Sequence, residues 1–359
     1  MLKDVVEPTG SADERSIYCS PNLAAWLDEN KGFLAISTYE SAKVYFVLSP
    51  DGRETRTIER FFGPAMGLAF QDNAMWVGSR EQLWKFVNAG PLDYQGTRYD
   101  AFYIPRSGHF VGACDSHDLA LDAEYGGKRY SVIFANTRHN CISTLDDFYA
   151  FKPLWRPPFV DAVVPEDRCH LNGLCLVNGE LNYATVCSTT NTSQGWRSHI
   201  NGGGAVFDIR NNEIVCSGLS MPHSPKWHDN RLWLLNSGCG DFGFVDLARG
   251  KFIPVALLPG FARGLVFHGH YAIIALSRMR PSGLTTGMLL ENRLKAEEIT
   301  PVCGLVIFNL RTGAVEHTLF FDKAVNELYD VAFVAGPRLP YSPGFQEPEV
   351  HKDVIHFAG

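Results

Sequence analysis

Short runs of apolar, β-branched and aromatic residues recur along the chain, each bounded by Gly, Asn, Asp or Pro, which is the pattern of strands joined by tight turns. Six of these runs superpose by their ends, which close on a small or hydroxyl residue: FLAIST (33–38), AMWVGS (74–79), YSVIFANT (130–137), LNYATVCS (181–188), LWLLNS (232–237) and YAIIALS (271–277). Five have a second run just upstream: MGLAF (66–70), HDLAL (117–121), NGLCLV (172–177), PKWHD (225–229) and RGLVF (263–267). An inner strand, a turn, a second strand and two outer strands therefore form the repeating unit.

FLAIST has no such partner. The preceding SPNLAAWLDENKG predicts a short helix over about 20–31, with Ser20 as N-cap, Pro21 in the first turn and Gly32 as the stop. The missing inner strand is expected at the far end, in ELYDVAFVAG (327–336). The fold expectation is thus all-β: a six-bladed β-propeller whose last blade combines the N-terminal strands with a C-terminal inner strand, so that ring closure protects the sheet edges. Residues 1–359 are expected to form a single domain. Insertions at about 87–101, 189–203 and 278–302 are expected to cover one mouth of the central channel, and a Pro-rich tail to occupy about 337–359.

Composition narrows the function classes. With 45% hydrophobic residues, 20% charged residues and a net charge of −7, the chain reads as an ordinary globular protein able to bury a large core. It offers no basic patch for nucleic acid or anionic lipid, and no apolar run long enough to span a bilayer. MLKDVVEPTGSADERS lacks the apolar centre of a secretory signal, so the expected location is cytoplasmic, without nucleic-acid or membrane partners. Nine cysteines without a C-x-x-C pair predict neither a disulfide framework nor a structural zinc site.

In a propeller the inner strands start around one mouth of the channel, and ligand sites gather there. This sequence places polar residues at those starts: His117 with Asp118, His170 with Asn172, His223, Arg263, and Glu327 with Tyr329 and Asp330. His117, His170 and His223 are candidate ligands for a divalent transition metal (Zn, Fe, Cu or Mn), because imidazole suits all of these ions. Register matches His117 to Asn172 more closely than to His170. Glu166 and Asp167 are candidates for proton transfer or for orienting an imidazole, and Glu327 and Asp330 are the opposing catalytic carboxylates. Arg168, Asn172, Arg263 and Tyr329 are candidate substrate-binding residues. Trp155, Trp196, Trp227 and Trp233 read as packing residues, and the hydroxyls that end second strands read as ties between blades.

The motifs QLWKF, PLWRPPFV, PEDRCHLNGL, GWR, SMPHSPKWHDNRLWLLNSG, LPGFARGL and ELYDV resemble those of a bacterial family of six-bladed propellers described as a domain of unknown function. The resemblance covers most of 20–335 and implies the fold without naming a reaction. Lactonase-like and strictosidine-synthase-like propellers are more distantly similar and would suggest a channel enzyme, although fold alone does not fix function. The functional expectation is a metal-dependent enzyme acting on a small molecule or a modified amino acid or peptide. A non-catalytic ligand- or protein-binding propeller, and a metal-free acid/base enzyme using Glu327, Tyr329 and Asp330, are the alternatives.

Overall fold

A computed structural model describes residues 17–279, 287–322, 325–345 and 352. The expected first residues, the middle of the 278–302 insertion and most of the tail lie outside the described residues. The repeat seen in the sequence becomes a repeat of antiparallel sheets. Sheet A joins Gly32–Ser37, Lys43–Leu48 and Arg56–Phe61 to the C-terminal strand Asp330–Ala335, which pairs with Gly32–Ser37. Sheet B comprises Leu68–Gln71, Ala74–Gly78, Gln82–Asn88 and Ala101–Phe110, with Pro340–Tyr341 added in parallel at its edge.

Sheets C (Ser116–Tyr125, Lys128–Asn136, Cys141–Thr144, Lys152–Trp155) and D (Leu171–Val177, Glu180–Val186, Gly204–Asp208, Glu213–Leu219) are linked by one parallel bridge between Glu124 and Glu180. Sheet E holds Pro222–His228, Arg231–Asn236, Asp241–Asp246 and Lys251–Leu257. Sheet F holds Phe261–His268, Tyr271–Ser277, Cys303–Asn309 and Ala314–Phe321, with Ile17–Cys19 on its outer edge. The architecture is all-β and propeller-like.

Second strands are almost wholly buried because both faces of each sheet pack on neighbours, so their sequences read as continuous apolar runs. Apolar clusters fill the spaces between sheets: Leu34, Ile36, Ile273 and Leu305 join A to F, and Phe33, Val77 and Phe86 join A to B. Where inner strands approach one another most closely, only glycine fits. A Cβ on Gly264 would lie 2.8 Å from the Val331 nitrogen and 2.9 Å from the Asp330 Cα, and one on Gly173 would lie 2.4 Å from the Pro225 Cδ. The Gly-Leu pairs of RGLVF and NGLCLV mark these contacts.

The hydroxyls that end second strands do bridge to the next inner strand. Ser37 donates to the Met66 carbonyl (2.5 Å), Thr137 to Leu171 (2.6 Å), Ser237 to Ala262 (2.5 Å) and Ser277 to Leu328 (3.0 Å).

The N-terminal helix is shorter than expected, Leu23–Glu29. Ser20 does not cap it; its amide donates to the Thr318 carbonyl and its hydroxyl accepts from the Thr318 amide, extending the edge strand of sheet F. Gly32 is not the stop either. Lys31 takes the left-handed conformation (φ 49°), and Gly32 opens the next strand, where a Cβ would meet the Phe333 ring and the Val334 carbonyl at 2.6 Å. Edge pairing outweighs the local capping signal.

The 87–101 insertion folds into a hairpin, Leu92–Tyr94 with Thr97–Tyr99. The other two insertions meet each other. Trp196, from the 3-10 turn Gly195–His199, clusters with Met288, Leu290 and Leu294 around Met221 and Phe261. Met221 immediately precedes the inner strand of sheet E and Phe261 opens that of sheet F, so the described parts of both insertions pack against these two strand starts.

Candidate functional site at the channel mouth

Two of the histidines occupy the same slot in different sheets. Ser116 pairs with Asn136 and Pro222 with Asn236, and the register shifts just beyond, between Ser116 and Leu119 in one sheet and between His223 and Lys226 in the other. The preceding residue is left-handed in both cases, Asp115 with φ 51° and Met221 with φ 49°. That conformation turns its carbonyl onto the imidazole two residues later: His117 Nδ1 lies 2.9 Å from the Asp115 oxygen, and His223 Nδ1 lies 2.9 Å from the Met221 oxygen. A carbonyl can only accept, so Nδ1 carries the proton in both rings. His117 Nδ1 is also 2.8 Å from the Thr137 hydroxyl.

In sheet D the same slot belongs to Asn172, which is buried, accepts from the Thr185 hydroxyl (2.8 Å) and donates to Cys187 Sγ (3.4 Å). This agrees with the register read from the sequence. His170 instead takes the left-handed position itself (φ 51°), and its Nδ1 meets both oxygens of Asp167 at 3.0 and 3.1 Å. The Trp196 indole donates to the same carboxylate (2.8 Å) and packs its ring on His170, with centroids 4.2 Å apart.

All three Nδ1 atoms are thus engaged, while Nε2 of His117, His170 and His223 has no hydrogen-bond partner among the described residues. The His117 and His170 rings meet edge to face with centroids 4.8 Å apart and planes at 84°. Burial, then His170, holds the His117 pKa well below the usual imidazole range, opposed by the Asp115 carbonyl. Burial, followed by Arg263, pushes His223 down to about 3. Both rings are neutral, with bare Nε2 lone pairs.

Tyr329 completes the mouth. Its ring packs against His117 (5.2 Å) and Tyr39 (6.3 Å), and the Arg263 guanidinium lies 5.2 Å above it. The phenol oxygen is buried and lacks a hydrogen-bond partner among the described residues. Burial raises its pKa well above the ordinary value, so it is a protonated donor. Arg263 forms an ion pair with Glu327, and both side chains are almost fully buried.

The other candidates are placed differently. Glu166 faces Arg168 (2.8 Å), whose guanidinium also binds Asp161 (2.5 Å) and Asn191 (2.7 Å), so these side chains fasten the 189–203 insertion to the preceding loop. Asp330 accepts from the amides of Leu68 (2.9 Å) and Val331 (2.8 Å). Near it, Lys226 lies 3.2 Å from both oxygens of Asp118. Burial works against the lysine charge, but Asp118 and Asp330 outweigh it and raise its pKa. Sequence reading missed Lys226, the contact of Thr137 with His117 and the role of Trp196. The signals were a lone lysine in an inner strand, and a tryptophan in a glycine-flanked loop that no blade required.

For the metal expectation, the donors are of the right kind and tautomer. Two imidazoles sharing one ion through Nε2 have centroids roughly 5 Å apart at a metal–nitrogen distance of about 2.1 Å, close to the His117–His170 separation. However, among the described residues no three His, Cys, Asp or Glu side chains are grouped closely enough to hold an ion. His223 is the outlying member, with its ring on Phe261 (5.5 Å).

Fold and site together define a propeller-like all-β protein with a polar, histidine-lined cluster where its inner strands begin. The chain belongs to the family described as a domain of unknown function, DUF4915, whose profile matches residues 21–342. No curated protein matches it. Among solved structures, a chain of a nidogen/laminin complex is similar at a TM-score of 0.53 with 12% identity, covering 85% of this chain and 99% of that one. A protein of unknown function from Bacteroides caccae aligns at a TM-score of 0.47 with 11% identity, over 85% of this chain and 99% of that one. These likenesses concern the fold alone. No helix among the described residues is long and apolar enough to cross a membrane.

Proposed function

We propose that the chain is a six-bladed, closed propeller whose histidine-lined mouth is the site of a metal-dependent enzyme acting on a small molecule or a modified amino acid or peptide. Closure is supported by the packing of inner strands in one cycle: A on B, B on C, C on D, D on E, E on F and F back on A. The observation that carries the function is that three imidazoles present unpartnered Nε2 atoms from neighbouring sheets while their Nδ1 atoms are fastened behind them. Metal-binding histidines are held in this way, with the distal nitrogen given to a carbonyl or carboxylate so that tautomer and direction are fixed.

His117 and His170 would hold the ion first, and His223 would complete the set once the mouth contracts around it. Asp167 would orient His170, and the Tyr329 phenol would donate to an oxygen of the substrate. The ion would supply Lewis-acid polarisation or an acidified water. Zn, Fe, Cu and Mn all suit imidazole donors, and geometry chooses among them. The metal-free alternative is weaker because Glu327 is bound to Arg263, and both oxygens of Asp330 accept backbone amides.

The test is elemental analysis of protein purified without chelator and reloaded separately with each metal. The expected result is about one ion per chain, lost in His117→Ala and His170→Ala and retained in His109→Ala, whose ring stacks on Trp76. If metal-replete protein carries no ion, or if the His117 and His170 variants bind as much as the parent, the proposal fails and a binding propeller takes its place.

A further inference from the structure

The inner strands that begin at the histidines lead, a few residues on, to a second concavity at the opposite end of the channel. A cavity of about 360 Å³ opens between Leu119, Leu174, Lys226, Trp227, Val266 and Phe267. Those residues come from four inner strands, those of sheets C, D, E and F. The volume falls within the span of small-molecule sites, roughly 300–1,000 Å³. Its wall combines apolar and aromatic side chains with polar surface: the Trp227 indole is stacked near Tyr183 (6.3 Å, 19°), and Phe267 carries the His228 ring flat against it (4.2 Å, 3°).

Lys226 is the cationic group set into this wall, which His228 also lines. Its ammonium is fixed from behind by both oxygens of Asp118, yet 30% of its side-chain surface remains wet. Asp118 is itself consumed, accepting the amides of Leu119 (3.0 Å) and Leu174 (3.1 Å) besides the lysine. An ammonium has three donors and no acceptor. Asp118 is its only hydrogen-bond acceptor among the described residues, so donor capacity is left for the cavity.

We propose that this cavity binds a small organic acid with an apolar body, its carboxylate received by the Lys226 ammonium and its body lying on Leu174, Val266, Phe267 and Trp227. An amine would meet a cation where it needs an acceptor, and a purely apolar guest would leave the ammonium's remaining donor capacity unused. The site is separate from the histidine mouth and does not depend on a metal there.

Calorimetry and tryptophan fluorescence on the full chain, in EDTA so that no metal at the histidines can capture the acid, would compare 4-phenylbutyrate, 4-phenylbutanol and 4-phenylbutylamine. The acid is expected to bind at least tenfold more tightly than the alcohol or the amine, and Lys226→Met to weaken it at least tenfold. Because Lys226→Met also strips Asp118 of its counter-ion, Leu176→Trp, at another residue lining the cavity, serves as the second variant; it crowds the lining while leaving the lysine in place and is expected to abolish binding. No binding of the acid, equal or tighter binding of the amine, or acid binding unchanged in both variants would overturn the proposal.

Discussion

Replacing Asp330 by asparagine tests the electrostatics of the channel core. Asp330 is 9% exposed and straps sheet A to sheet B through the Leu68 amide. Burial, then Asp118, lifts its pKa from an ordinary 3.8 to about 7, with Lys226 pulling the other way. A carboxyl whose folded pKa exceeds its unfolded pKa binds more protons when folded. Its contribution to stability is therefore complete below about pH 3.8 and is lost as pH rises through about 7. Integrated from pH 5 to pH 8, that loss is on the order of 2–3 kcal/mol. Asparagine keeps an acceptor for Leu68 and cannot titrate. His117 and His223, whose pKa values are lowered, push stability in the opposite direction as pH rises, but they do so in both proteins and cancel in the difference. Urea unfolding at pH 5, 6, 7 and 8 should show the stability of the parent falling relative to Asp330→Asn across this window. Parallel profiles, or a relative gain by the parent at high pH, would refute the assigned burial and the repulsion by Asp118.

Three further perturbations address other parts of the molecule. Asp167→Asn, which weakens the hold on His170 Nδ1, should lower metal affinity about 10- to 100-fold in a chelator competition while leaving the unfolding midpoint nearly unchanged. Glu327→Gln removes the carboxylate from the buried ion pair with Arg263 and should destabilise the fold by about 3–5 kcal/mol in denaturant titrations, whereas replacing both partners by apolar residues should restore much of that loss. Ser237→Ala removes the hydroxyl that binds the Ala262 carbonyl between sheets E and F, and should cost about 1–3 kcal/mol in thermal unfolding.

The repeat was legible because each blade must bury both faces. That forces near-continuous apolar second strands, and close approach of inner strands forces glycine at Gly173 and Gly264. The exchange of strands between the termini was legible from the single blade that lacked an inner strand. The limits of the starting helix were not, because Ser20 and Gly32 carry capping chemistry that long-range pairing overrides. Within the site, the histidines stood out as polar residues where apolar ones suffice. Their tautomers did not, since those of His117 and His223 depend on the carbonyls of Asp115 and Met221, and a left-handed turn at a methionine has no compositional mark. Lys226 was hidden by its neighbours in PKWHD, which read as one more amphipathic strand.

The segment PEDRCHLNGL can now be resolved residue by residue, and it explains why the fourth sheet departs from the pattern of the third and fifth. In those sheets a left-handed residue offers its carbonyl to a histidine two positions later. In sheet D the histidine has moved into the left-handed position, where it cannot use that carbonyl, and Asn172 keeps the vacated slot as a tie to Thr185. His170 then needs another acceptor for Nδ1, and Asp167, itself left-handed at φ 47°, supplies a carboxylate three residues earlier. Glu166 and Arg168 on either side anchor that loop to Asp161 and Asn191, Cys169 is buried with its amide on Asn140 (3.1 Å), and Gly173 admits Pro225. Two non-glycine residues held left-handed within four positions store strain on the order of 1–3 kcal/mol each. Under the proposed function, this loop would hold the His170 ring edge to face with His117, where a shared ion would need it.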